Sequence, residues 1–537
     1  MTPLVNKIDV LFVGAGPASL SGAIELQRCL NEAGRDESVA VIEKSDKVGH
    51  HILSGLVFEP DVLDELITDW RERKHPFVKR ALANDVQRDE VRLLLTQSTS
   101  MPVPHAVIPP YLRHEGNLIL SGSEMVRWLA EEATALGVKI YTGFAATAVL
   151  YENGSVTGVM LGEKGLSRDG QKQVNYVPGE IIEAKVTIFG EGSLGQLAED
   201  VVATHGLREN GNPQIQSLGV KEVIKLPEDN NFGANRVIHT FGYPVSSVFG
   251  GGTLYSMDEN TVAVALVLGL DWKQADLDPQ RELQVFKSHK YISELLEGGE
   301  VIAYGAKTLP EGGYWSLPTP YTAGALIAGD AAGFTDVRKL KGWHNAMRSG
   351  MLAGRAVMEA IERDDFSAAT LARYGEFLEQ SPVMGDLRKG KNYRQVFGKA
   401  GNVFVGAPLS LLQGAVGRKM KTQPDHQGLT HSRLKREQPT GQDRLTDVAL
   451  SGTIHREEEP PHITIADPAQ CAICLQRFGT YPCLHFCPGQ VYEGHNGSIV
   501  INPSNCLHCQ TCRAKCPFQV VRWRVPEGGE GPKYRVM

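Results

Sequence analysis

Eight of the nine cysteines in this chain lie near its C-terminal end, in two groups whose spacing suits iron ligation. The second group reads C-x2-C-x2-C-x3-C-P, a spacing that holds a cubane iron–sulfur cluster, and the fourth cysteine of each such group ligates the other group's cluster. Because these clusters carry single electrons, the spacing predicts an electron-transfer protein. The predicted ligands are Cys487, Cys506, Cys509 and Cys512 for one 4Fe-4S cluster, and Cys471, Cys474, Cys483 and Cys516 for a second.

The first group departs from that spacing, because eight residues instead of two separate Cys474 from Cys483. This weakens the prediction of the second cluster and leaves the first unaffected. Structural zinc and disulfides are the alternatives. Zinc sites favour two CxxC pairs, whereas the second group has three cysteines at that spacing and a Cys-Pro, and disulfides need an oxidising compartment. The ninth cysteine, Cys29, is expected to be a small buried apolar residue.

The N-terminal region has the pattern of a strand–helix–strand unit that binds a dinucleotide. Residues 8–13 form an apolar run typical of a buried parallel strand, and a glycine-rich turn, 14–19, follows. A helix pattern covers about 20–33, and a second strand, 39–42, ends at Glu43. This context favours a dinucleotide site over an ordinary glycine-rich turn.

Each position in this unit has a physical reason. Gly14 permits the tight turn, and Gly16 lets a pyrophosphate approach the backbone. The helix N-terminus supplies free N–H groups and the positive end of the helix dipole. Glu43 is placed to accept hydrogen bonds from a ribose. Ser19 replaces the third glycine of the fingerprint and is small enough for close packing of helix on strand.

A later segment indicates that the dinucleotide is FAD. Residues 324–333 read GALIAGDAAG, a short apolar strand followed by an acid. In flavoproteins of the glutathione-reductase type, such a strand places the acid against the ribityl chain of FAD. Residues 341–350 then open a helix whose N-terminus is expected to face the flavin pyrimidine carbonyl, where negative charge collects on reduction. The predicted FAD residues are Gly14, Gly16, Ser19, Glu43, Gly329, Asp330, Ala346 and Met347.

The bulk composition fits a globular protein of several domains. The 537 residues include 42% hydrophobic and 22% charged residues, and the net charge of −7 argues against a nucleic-acid partner. No stretch reaches about 18 consecutive strongly apolar residues, so no helix is expected to span a membrane. The first residues run into a strand pattern without a secretory or transit segment, so we expect the cytosolic side of a prokaryotic cell.

Two apolar segments are predicted to lie in a membrane interface. Residues 396–417 carry no charge from position 400 onward, are interrupted by glycines and Pro408, and are followed by Arg418 and Lys419. This composition is too broken to span a bilayer and suits a segment lying at the headgroups. Residues 101–112 are a second candidate. Packing inside the protein is the alternative for both.

Many dispersed segments resemble the electron-transfer flavoprotein–ubiquinone oxidoreductase family over nearly the whole chain. The segments are residues 10–18, 49–55, 184–192, 269–271, 302–306, 341–342, 346–347, 349–353, 448–453, 506–512 and 525–529. The resemblance implies a monotopic membrane oxidoreductase with FAD and a 4Fe-4S cluster, an electron-transferring-flavoprotein dehydrogenase. It would take electrons from a soluble electron-transfer flavoprotein and reduce a membrane quinone at the cytoplasmic face of the prokaryotic inner membrane.

By position, the resemblance also implies the site residues. The family's cluster ligands fall on Cys487, Cys506, Cys509 and Cys512, and its quinone-contacting glycine pair falls on Gly250 and Gly251. Phe249 replaces the tyrosine of better-known members, so any hydrogen bond from that hydroxyl near the quinone is absent here.

The four remaining cysteines, Cys471, Cys474, Cys483 and Cys516, look more like those of small ferredoxin-like proteins associated with nitrogen-fixation flavoprotein complexes. There the oxidoreductase and the ferredoxin are separate chains, whereas here they would be fused. This raises the possibility of a bifurcating flavoprotein partner.

The predicted architecture is therefore an α/β FAD-binding fold of the glutathione-reductase type with an inserted α+β quinone-binding domain and a small C-terminal ferredoxin-like α+β domain. Strand patterns at 216–225, 235–241 and 261–269 belong to the inserted domain. The predicted boundaries are 1–430 for the FAD-binding and quinone/membrane-binding part, 431–461 for a linker and 462–537 for the ferredoxin-like domain.

Two rival functions remain open from the sequence. An FAD-dependent monooxygenase or geranylgeranyl-reductase-like enzyme would share the FAD fold but needs no cysteine-rich tail. A soluble ferredoxin-coupled flavoprotein would keep both cofactors and never touch lipid. His51, Tyr255 and His344 are candidates for proton delivery, although a structural role is favoured for each.

Overall fold

The structure is a computed structural model that describes residues 4–54, 57–413, 417–431, 442–495 and 497–537. Its first strands, in chain order, are β1 (Val5–Val13), β2 (Val39–Glu43), β3 (Val57–Phe58), β4 (Arg88–Leu94), β5 (Ser100–Pro102), β6 (Leu118–Ile119), β7 (Lys139–Thr142), β8 (Ala146–Glu152), β9 (Ser155–Leu161), β10 (Lys164–Leu166), β11 (Lys172–Val177) and β12 (Ile181–Phe189). The later strands are β13 (Gln216–Lys225), β14 (Arg236–Gly242), β15 (Gly250–Ser256), β16 (Thr261–Gly269), β17 (Glu300–Pro310), β18 (Tyr321–Thr322), β19 (Ala325–Ile327), β20 (Ile463–Ile465), β21 (Tyr492–His495), β22 (Ser498–Ile501) and β23 (Val521–Trp523).

The α-helices of the described residues are α1 (Pro17–Ala33), α2 (Asp61–Leu66), α3 (Pro76–Ala83), α4 (Gly122–Leu136), α5 (Gln196–Thr204), α6 (Pro279–Lys287), α7 (Lys290–Leu295), α8 (Trp343–Arg363), α9 (Ala368–Gln380), α10 (Pro382–Lys389), α11 (Tyr393–Ala400), α12 (Val403–Gln413), α13 (Arg444–Leu450), α14 (Pro468–Phe478), α15 (Pro482–Phe486) and α16 (Thr511–Lys515).

The first sheet has the order β18-β19-β12-β1-β2-β7 and carries β9 and β8 on its edge. β1 pairs in parallel with both β12 and β2, as the strand–helix–strand pattern predicts. Helices α1 and α8 cross closely because Gly22 and Gly350 leave room: a Cβ on Gly350 would lie 1.9 Å from the carbonyl oxygen of Ala18. The glycine turn after β1 and the start of α8 are thereby brought to one edge of the sheet.

The second sheet has the order β17-β13-β16-β15-β14-β4-β5. Its strands β13 and β16 occupy the predicted ranges 216–225 and 261–269, and β14 lies one residue later than predicted. Gly219, Val267 and Gly251 lie opposite one another on β13, β16 and β15, so two of these three neighbouring positions on the shared face carry no side chain. This face looks towards the first sheet across a cavity.

The C-terminal region shares a hydrophobic core with the second sheet. Leu507 and Trp523 belong to the same buried cluster as Leu218 of β13. The Lys515 ammonium, fully buried, donates hydrogen bonds to the carbonyl oxygens of Leu270, Trp272 and Asp425. The C-terminal region is therefore fixed to the rest of the chain by apolar packing and by a buried cation.

The predicted linker, 431–461, is in part folded. Residues 432–441 lie outside the described residues, but helix α13 follows, and Asp443 caps it by accepting from the N–H groups of Leu445 and Thr446. Arg444 then donates to the carbonyl oxygen of Cys487 at 3.1 Å. A capping acid and an arginine that reaches buried carbonyls explain why this stretch is ordered against the cysteine region.

Candidate cofactor sites

A cavity of about 360 Å³ lies between the first and second sheets. This volume falls in the range of pockets that bind organic cofactors. Two predicted sites meet here, because the lining contains both the glycine turn of β1 and the start of β15. The predicted residues that line the cavity are Gly14, Gly16, Glu43, Asp330, Ala346, Gly250 and Gly251.

The turn after β1 can be made only by a residue without a side chain. Gly14 has a φ of +91°, and a Cβ there would lie 2.9 Å from the carbonyl oxygen of Gly190. The carboxylate of Glu43 accepts hydrogen bonds from the backbone N–H groups of Ala15, at 2.8 Å, and Ser45, at 2.9 Å. Glu43 is therefore held in a fixed orientation at the cavity wall, where a ribose would bind.

Three predicted FAD residues lie behind the cavity wall and not on it. Ser19 is fully buried and so close to Gly190 that a Cβ on that glycine would lie 2.2 Å from the Ser19 hydroxyl oxygen. Gly329 has a φ of +64°, and its N–H donates to the Ser349 hydroxyl at 3.0 Å. The Met347 side chain is fully buried in the core. These residues support the wall by packing.

The acid predicted to meet the ribityl chain is half-buried beside the start of α8, where it lines the cavity. Asp330 accepts a hydrogen bond from the Thr335 hydroxyl at 3.0 Å. Burial raises the pKa of Asp330, whereas the Thr335 hydrogen bond and the charge of Lys307 oppose that rise. Gly342 and Ala346, at the first turn of α8, line the same end of the cavity. The glycine turn, the two acids and the helix start together fit FAD.

Three lysines that the sequence did not single out also line the cavity: Lys44, Lys221 and Lys307. Lys221 is 1% exposed and donates to the carbonyl oxygen of Ser54 at 2.5 Å. Burial lowers the pKa of Lys221 to about 7 and that of Lys44 to about 8. A lysine within the apolar run 216–225 was the available signal, since charge is rare in a buried strand.

The first predicted set of cluster ligands is buried and receives hydrogen bonds. The four residues are Cys487, Cys506, Cys509 and Cys512. The N–H of Val491 lies 3.5 Å from the sulfur of Cys487, and that of His508 lies 3.4 Å from the sulfur of Cys506. The Thr511 hydroxyl lies 3.4 Å from the sulfur of Cys509. Such donors stabilise negative charge on ligating sulfur.

The four thiols also act on one another electrostatically. Burial raises the pKa of Cys512 to about 12, and the nearby Cys509 and Cys487 contribute to that rise. Burial likewise raises the pKa of Cys506, with Cys509 and Cys512 contributing. The four thiols therefore lie close enough to raise one another's pKa, and a bound metal would relieve the cost of ionising them.

The second predicted set gathers around a separate small cavity of about 30 Å³. Cys471 and Cys474 come from α14, Cys483 from α15, and Cys516 follows α16. Burial raises the pKa of Cys474 to about 12, and Cys516 and Cys471 contribute to the rise. The eight residues between Cys474 and Cys483 form the end of α14, a turn and the start of α15, so the longer spacing does not keep Cys483 from the same cavity. Cys471 and Cys483 are half-buried, which places this cavity nearer the surface than the first set.

Three histidines form a further buried cluster beside the first cysteine set. The Nε2 atoms of His455 and His508 lie 2.8 Å apart, and the rings of His455 and His462 stack at 4.8 Å with their planes 16° apart. A metal ion must lie in the plane of each imidazole that binds it, and stacked parallel rings do not share such a point. The cluster is therefore held by stacking and hydrogen bonding.

The other end of the cavity is built on glycine and aromatic side chains. A Cβ on Gly250 would lie 1.9 Å from the carbonyl oxygen of Val267, so only glycine fits this strand. Phe249 contacts Phe397 edge-on at 4.8 Å, and the Arg394 guanidinium lies 4.3 Å from the Phe249 ring centre. Phe249 thus forms an apolar part of the cavity wall, at the position where better-known family members carry a tyrosine.

The predicted interfacial segments form an apolar surface at this end of the cavity. On α12, Val405 is 53% and Leu412 is 76% exposed, and Val107 of the other segment is 66% exposed. Val403 of α12 and Leu112 of the other segment line the cavity itself. Residues 414–416 lie outside the described residues. None of the described helices has the length and apolar character needed to cross a membrane.

Solved structures show the same fold. The chain is similar to a geranylgeranyl bacteriochlorophyll reductase-like protein of Thermoplasma acidophilum, with a TM-score of 0.56 and 20% identity over 76% of this chain and 91% of that one. It is also similar to a triple mutant of the flavin-dependent brominase Bmp2, with a TM-score of 0.51 and 15% identity over 76% and 94% of the two chains. The fold and the lining of the cavity are those of an FAD-binding α/β protein, which confirms the predicted α/β FAD-binding fold.

Sequence comparisons give the family. The profile described as "Electron transfer flavoprotein-ubiquinone oxidoreductase, 4Fe-4S" matches residues 440–535, and "ETF-QO, ubiquinone-binding" matches 216–309. The mitochondrial electron transfer flavoprotein-ubiquinone oxidoreductase of Oryza sativa subsp. japonica is 39% identical over 98% of this chain and 93% of its own length. The Pseudomonas aeruginosa protein of that name is 36% identical over 98% of both chains. This chain belongs to the electron transfer flavoprotein–ubiquinone oxidoreductase family.

Proposed function

We propose that this protein accepts electrons from reduced electron transfer flavoprotein and passes them through a 4Fe-4S cluster and FAD to a membrane quinone. The observation that carries the proposal is that strand β17 reaches both the cavity and one of the predicted cluster ligands. Lys307 lines the cavity, and the next residue, Thr308, donates through its hydroxyl to the carbonyl oxygen of Cys509 at 2.9 Å. Burial raises the pKa of Cys509, and the charge of Lys307 opposes that rise. One strand therefore joins the cluster ligands to the flavin cavity.

When bound, the cluster would carry one electron and FAD one or two, whereas a quinone takes two electrons and two protons. The residues of this chain hold these centres in order. Glu43 and the glycine turn bind the nucleotide end, Asp330 and the start of α8 bind the flavin end, and Gly250 and Gly251 leave room for a quinone ring against the sheet. Because Gly219 and Gly251 carry no side chain, the cavity would have room for the flavin ring and the quinone ring together.

The same geometry supports the predicted division of the chain. We assign quinone binding to an inserted domain on the second sheet, and FAD binding to the rest of residues 1–430. Residues 462–537 would form the ferredoxin-like domain, and 431–461 would connect it. The match of the ubiquinone-binding profile to residues 216–309, within the second sheet, supports this assignment.

We propose that Cys471, Cys474, Cys483 and Cys516 hold a second 4Fe-4S cluster. Their convergence on one apolar cavity supports it, as does the adjacency of Cys483 to the first set, since Cys487 contributes to the raised pKa of the half-buried Cys483. Because the second cavity lies nearer the surface, electrons would enter there, continue to the first cluster and reach the flavin past Lys307.

Iron, acid-labile sulfide and FAD measured on anaerobically purified protein test the second cluster. About eight irons per FAD are expected in the wild type, and about four in Cys474→Ser. Cys29→Ser is the control, since this cysteine is far from both sets, and should retain about eight. About four irons in the wild type would refute the second cluster and leave the quinone reductase proposal standing.

We also propose that the protein binds the cytoplasmic face of the prokaryotic inner membrane through the surface of residues 101–112 and 403–412. The exposed apolar side chains of this surface and the opening of the cavity beside them support the proposal, because a quinone tail would pass from lipid to Gly250 without crossing water.

Reduction of ubiquinone-1 by reduced electron transfer flavoprotein tests the function directly. Anaerobic mixing with catalytic amounts of the holoenzyme should produce quinol at one per two electrons supplied. A protein that accepts the electrons but passes them only to a ferredoxin-type acceptor would instead be the soluble rival. An enzyme that reduces an alkene or consumes oxygen with substrate turnover would be the geranylgeranyl-reductase-like or monooxygenase rival.

A further inference from the structure

A group of ionisable side chains lies at the quinone end of the cavity. His239 is on β14, in register with Thr253 of β15, and both line the cavity. Gly251 lies two residues before Thr253 on β15, so it is a diagonal neighbour of His239 on the same face. The Nδ1 atom of His239 is buried and has no hydrogen-bond partner among the described residues. An imidazole whose Nδ1 has no hydrogen-bond partner among the described residues therefore lies next to the glycine pair.

His114 connects His239 to the carboxylate of Asp89. Asp89 is on β4, the parallel neighbour of β14, and its two carboxylate oxygens accept from the backbone N–H of His114 at 2.8 Å and bond its Nδ1 at 3.0 Å. The His114 ring then stacks on His239, with centres 4.8 Å apart and planes 11° apart. The ligating atoms of the three residues all lie within 4.8 Å of one another.

This geometry does not suit a metal ion. Two histidines and a carboxylate are a familiar ligand set for iron, but an ion must lie in both imidazole planes, and these planes are stacked and nearly parallel. One Asp89 oxygen and the His114 Nδ1 are already bonded to each other. The arrangement instead resembles one in which a carboxylate fixes the orientation of a neighbouring imidazole.

We propose that His239 donates a proton to the quinone oxygen that faces β14, and that His114 and Asp89 position and reprotonate it. This inference rests on the proposed function. Quinone plus two electrons from the reduced flavin plus two protons from solvent gives quinol, and His239 carries one of those protons. The step from His114 to His239 would need one bridging water.

The charges around His239 agree with this role. Asp89, His114 and Lys341 are the charged or titratable groups that act on it, and Lys341 pairs with Glu59 at 3.3 Å. Burial, with His114, lowers the pKa of His239 to about 3, and Asp89 opposes that effect. A proton that reaches His239 is therefore held weakly and is given up readily to a reduced quinone oxygen.

The test compares two half-reactions of the holoenzyme by stopped-flow spectroscopy. In His239→Asn, reduction of the flavin by reduced electron transfer flavoprotein should keep the wild-type rate. Reoxidation of the reduced flavin by ubiquinone-1 should slow about 100-fold and show a larger solvent isotope effect. Added imidazole should restore part of the rate. His114→Asn should slow the same step less and shift its pH profile.

His75→Asn is the matched control, because His75 is far from the cavity and asparagine also caps the start of α3. If His239→Asn does not fold, His114→Asn and Asp89→Asn carry the test through the pH profile. An unchanged reoxidation rate, or a raised KM for ubiquinone-1 with unchanged kcat, would overturn the inference. A wild-type enzyme that does not reduce ubiquinone-1 at all would instead refute the proposed function.

Discussion

The hydroxyl of Thr511 lies 3.4 Å from the sulfur of Cys509, while the hydroxyl of Thr308 bonds the carbonyl oxygen of that same cysteine at 2.9 Å. The two threonines therefore contact one predicted cluster ligand at different atoms, its sulfur and its backbone carbonyl oxygen. A donor at sulfur stabilises the added electron of a reduced cluster, whereas a donor at the carbonyl acts on the backbone.

Thr511→Ala is therefore expected to lower the reduction potential of the first cluster. Loss of a hydrogen bond worth about 1 kcal/mol corresponds to about 40 mV for a one-electron couple. A redox titration followed by electron paramagnetic resonance measures the shift. Thr308→Val serves as the comparison and should shift the potential by less than half as much. Equal shifts in the two variants would contradict the role assigned to the sulfur contact.

Gly14→Ala is expected to lower FAD occupancy by about tenfold, because its Cβ would be forced against Gly190 and the turn must move. Flavin absorbance per polypeptide measures the occupancy. Gly34→Ala is the control: Gly34 has a φ of +65° after α1, but no atom lies within 4 Å of its Cβ position. This variant carries the backbone strain without the clash. Normal FAD content in Gly14→Ala would argue against binding at this turn.

Leu412→Asp is expected to reduce vesicle binding by about tenfold or more, since it removes a large apolar side chain from the proposed membrane-binding surface and adds charge. Flotation with vesicles that contain anionic lipid measures the binding. Val174→Asp is the control, because Val174 on β11 is fully exposed and outside this surface. Equal flotation of both variants and the wild type would show that this surface does not bind the membrane.

Lys221 predicts a pH dependence of stability. Burial lowers its pKa from 10.5 to about 7 in the folded protein, so between these values the unfolded state binds a proton that the folded state does not. Stability then rises with pH from about 7 towards 10.5. In Lys221→Met this contribution is absent, and the melting temperature should rise less steeply between pH 7 and 9.5.

The matched variant for this experiment is Lys79→Met, in which an exposed lysine is replaced. It should keep the wild-type slope. A parallel slope in Lys221→Met would show that Lys221 is not desolvated in the holoenzyme.

The sequence predicted the parts of the fold that depend on local patterns. Apolar runs mark β1, β13 and β16, and Gly14 is predictable because its turn needs a positive φ. The candidate ligand sets were predictable because cysteine spacing follows the type of cluster. The structure places Cys471, Cys474, Cys483 and Cys516 around one small cavity despite the longer spacing after Cys474, since a helix end and a helix start absorb the extra residues.

Other features depend on contacts between distant residues and gave little local signal. His114 and His239 meet because Asp89 of β4 holds His114, and β4 pairs in parallel with β14, which carries His239. Neither segment's sequence indicates this pairing. Lys221 and Lys307 lie in strands that read as apolar, and their importance follows from the sheet face on which they lie. Helix α13 falls in a polar stretch whose order comes from Arg444 and the carbonyls that it contacts.

The buried ammonium of Lys515, held by three carbonyl oxygens of other segments, has a kinetic consequence. A cluster region fixed in this way cannot swing between donor and acceptor as a mobile arm would. Electron transfer from cluster to flavin should then be independent of solvent viscosity, so added glycerol would slow only the encounter with the flavoprotein partner. Because the distance from cluster to flavin would be fixed, the encounter with the flavoprotein partner would be the step that responds to viscosity.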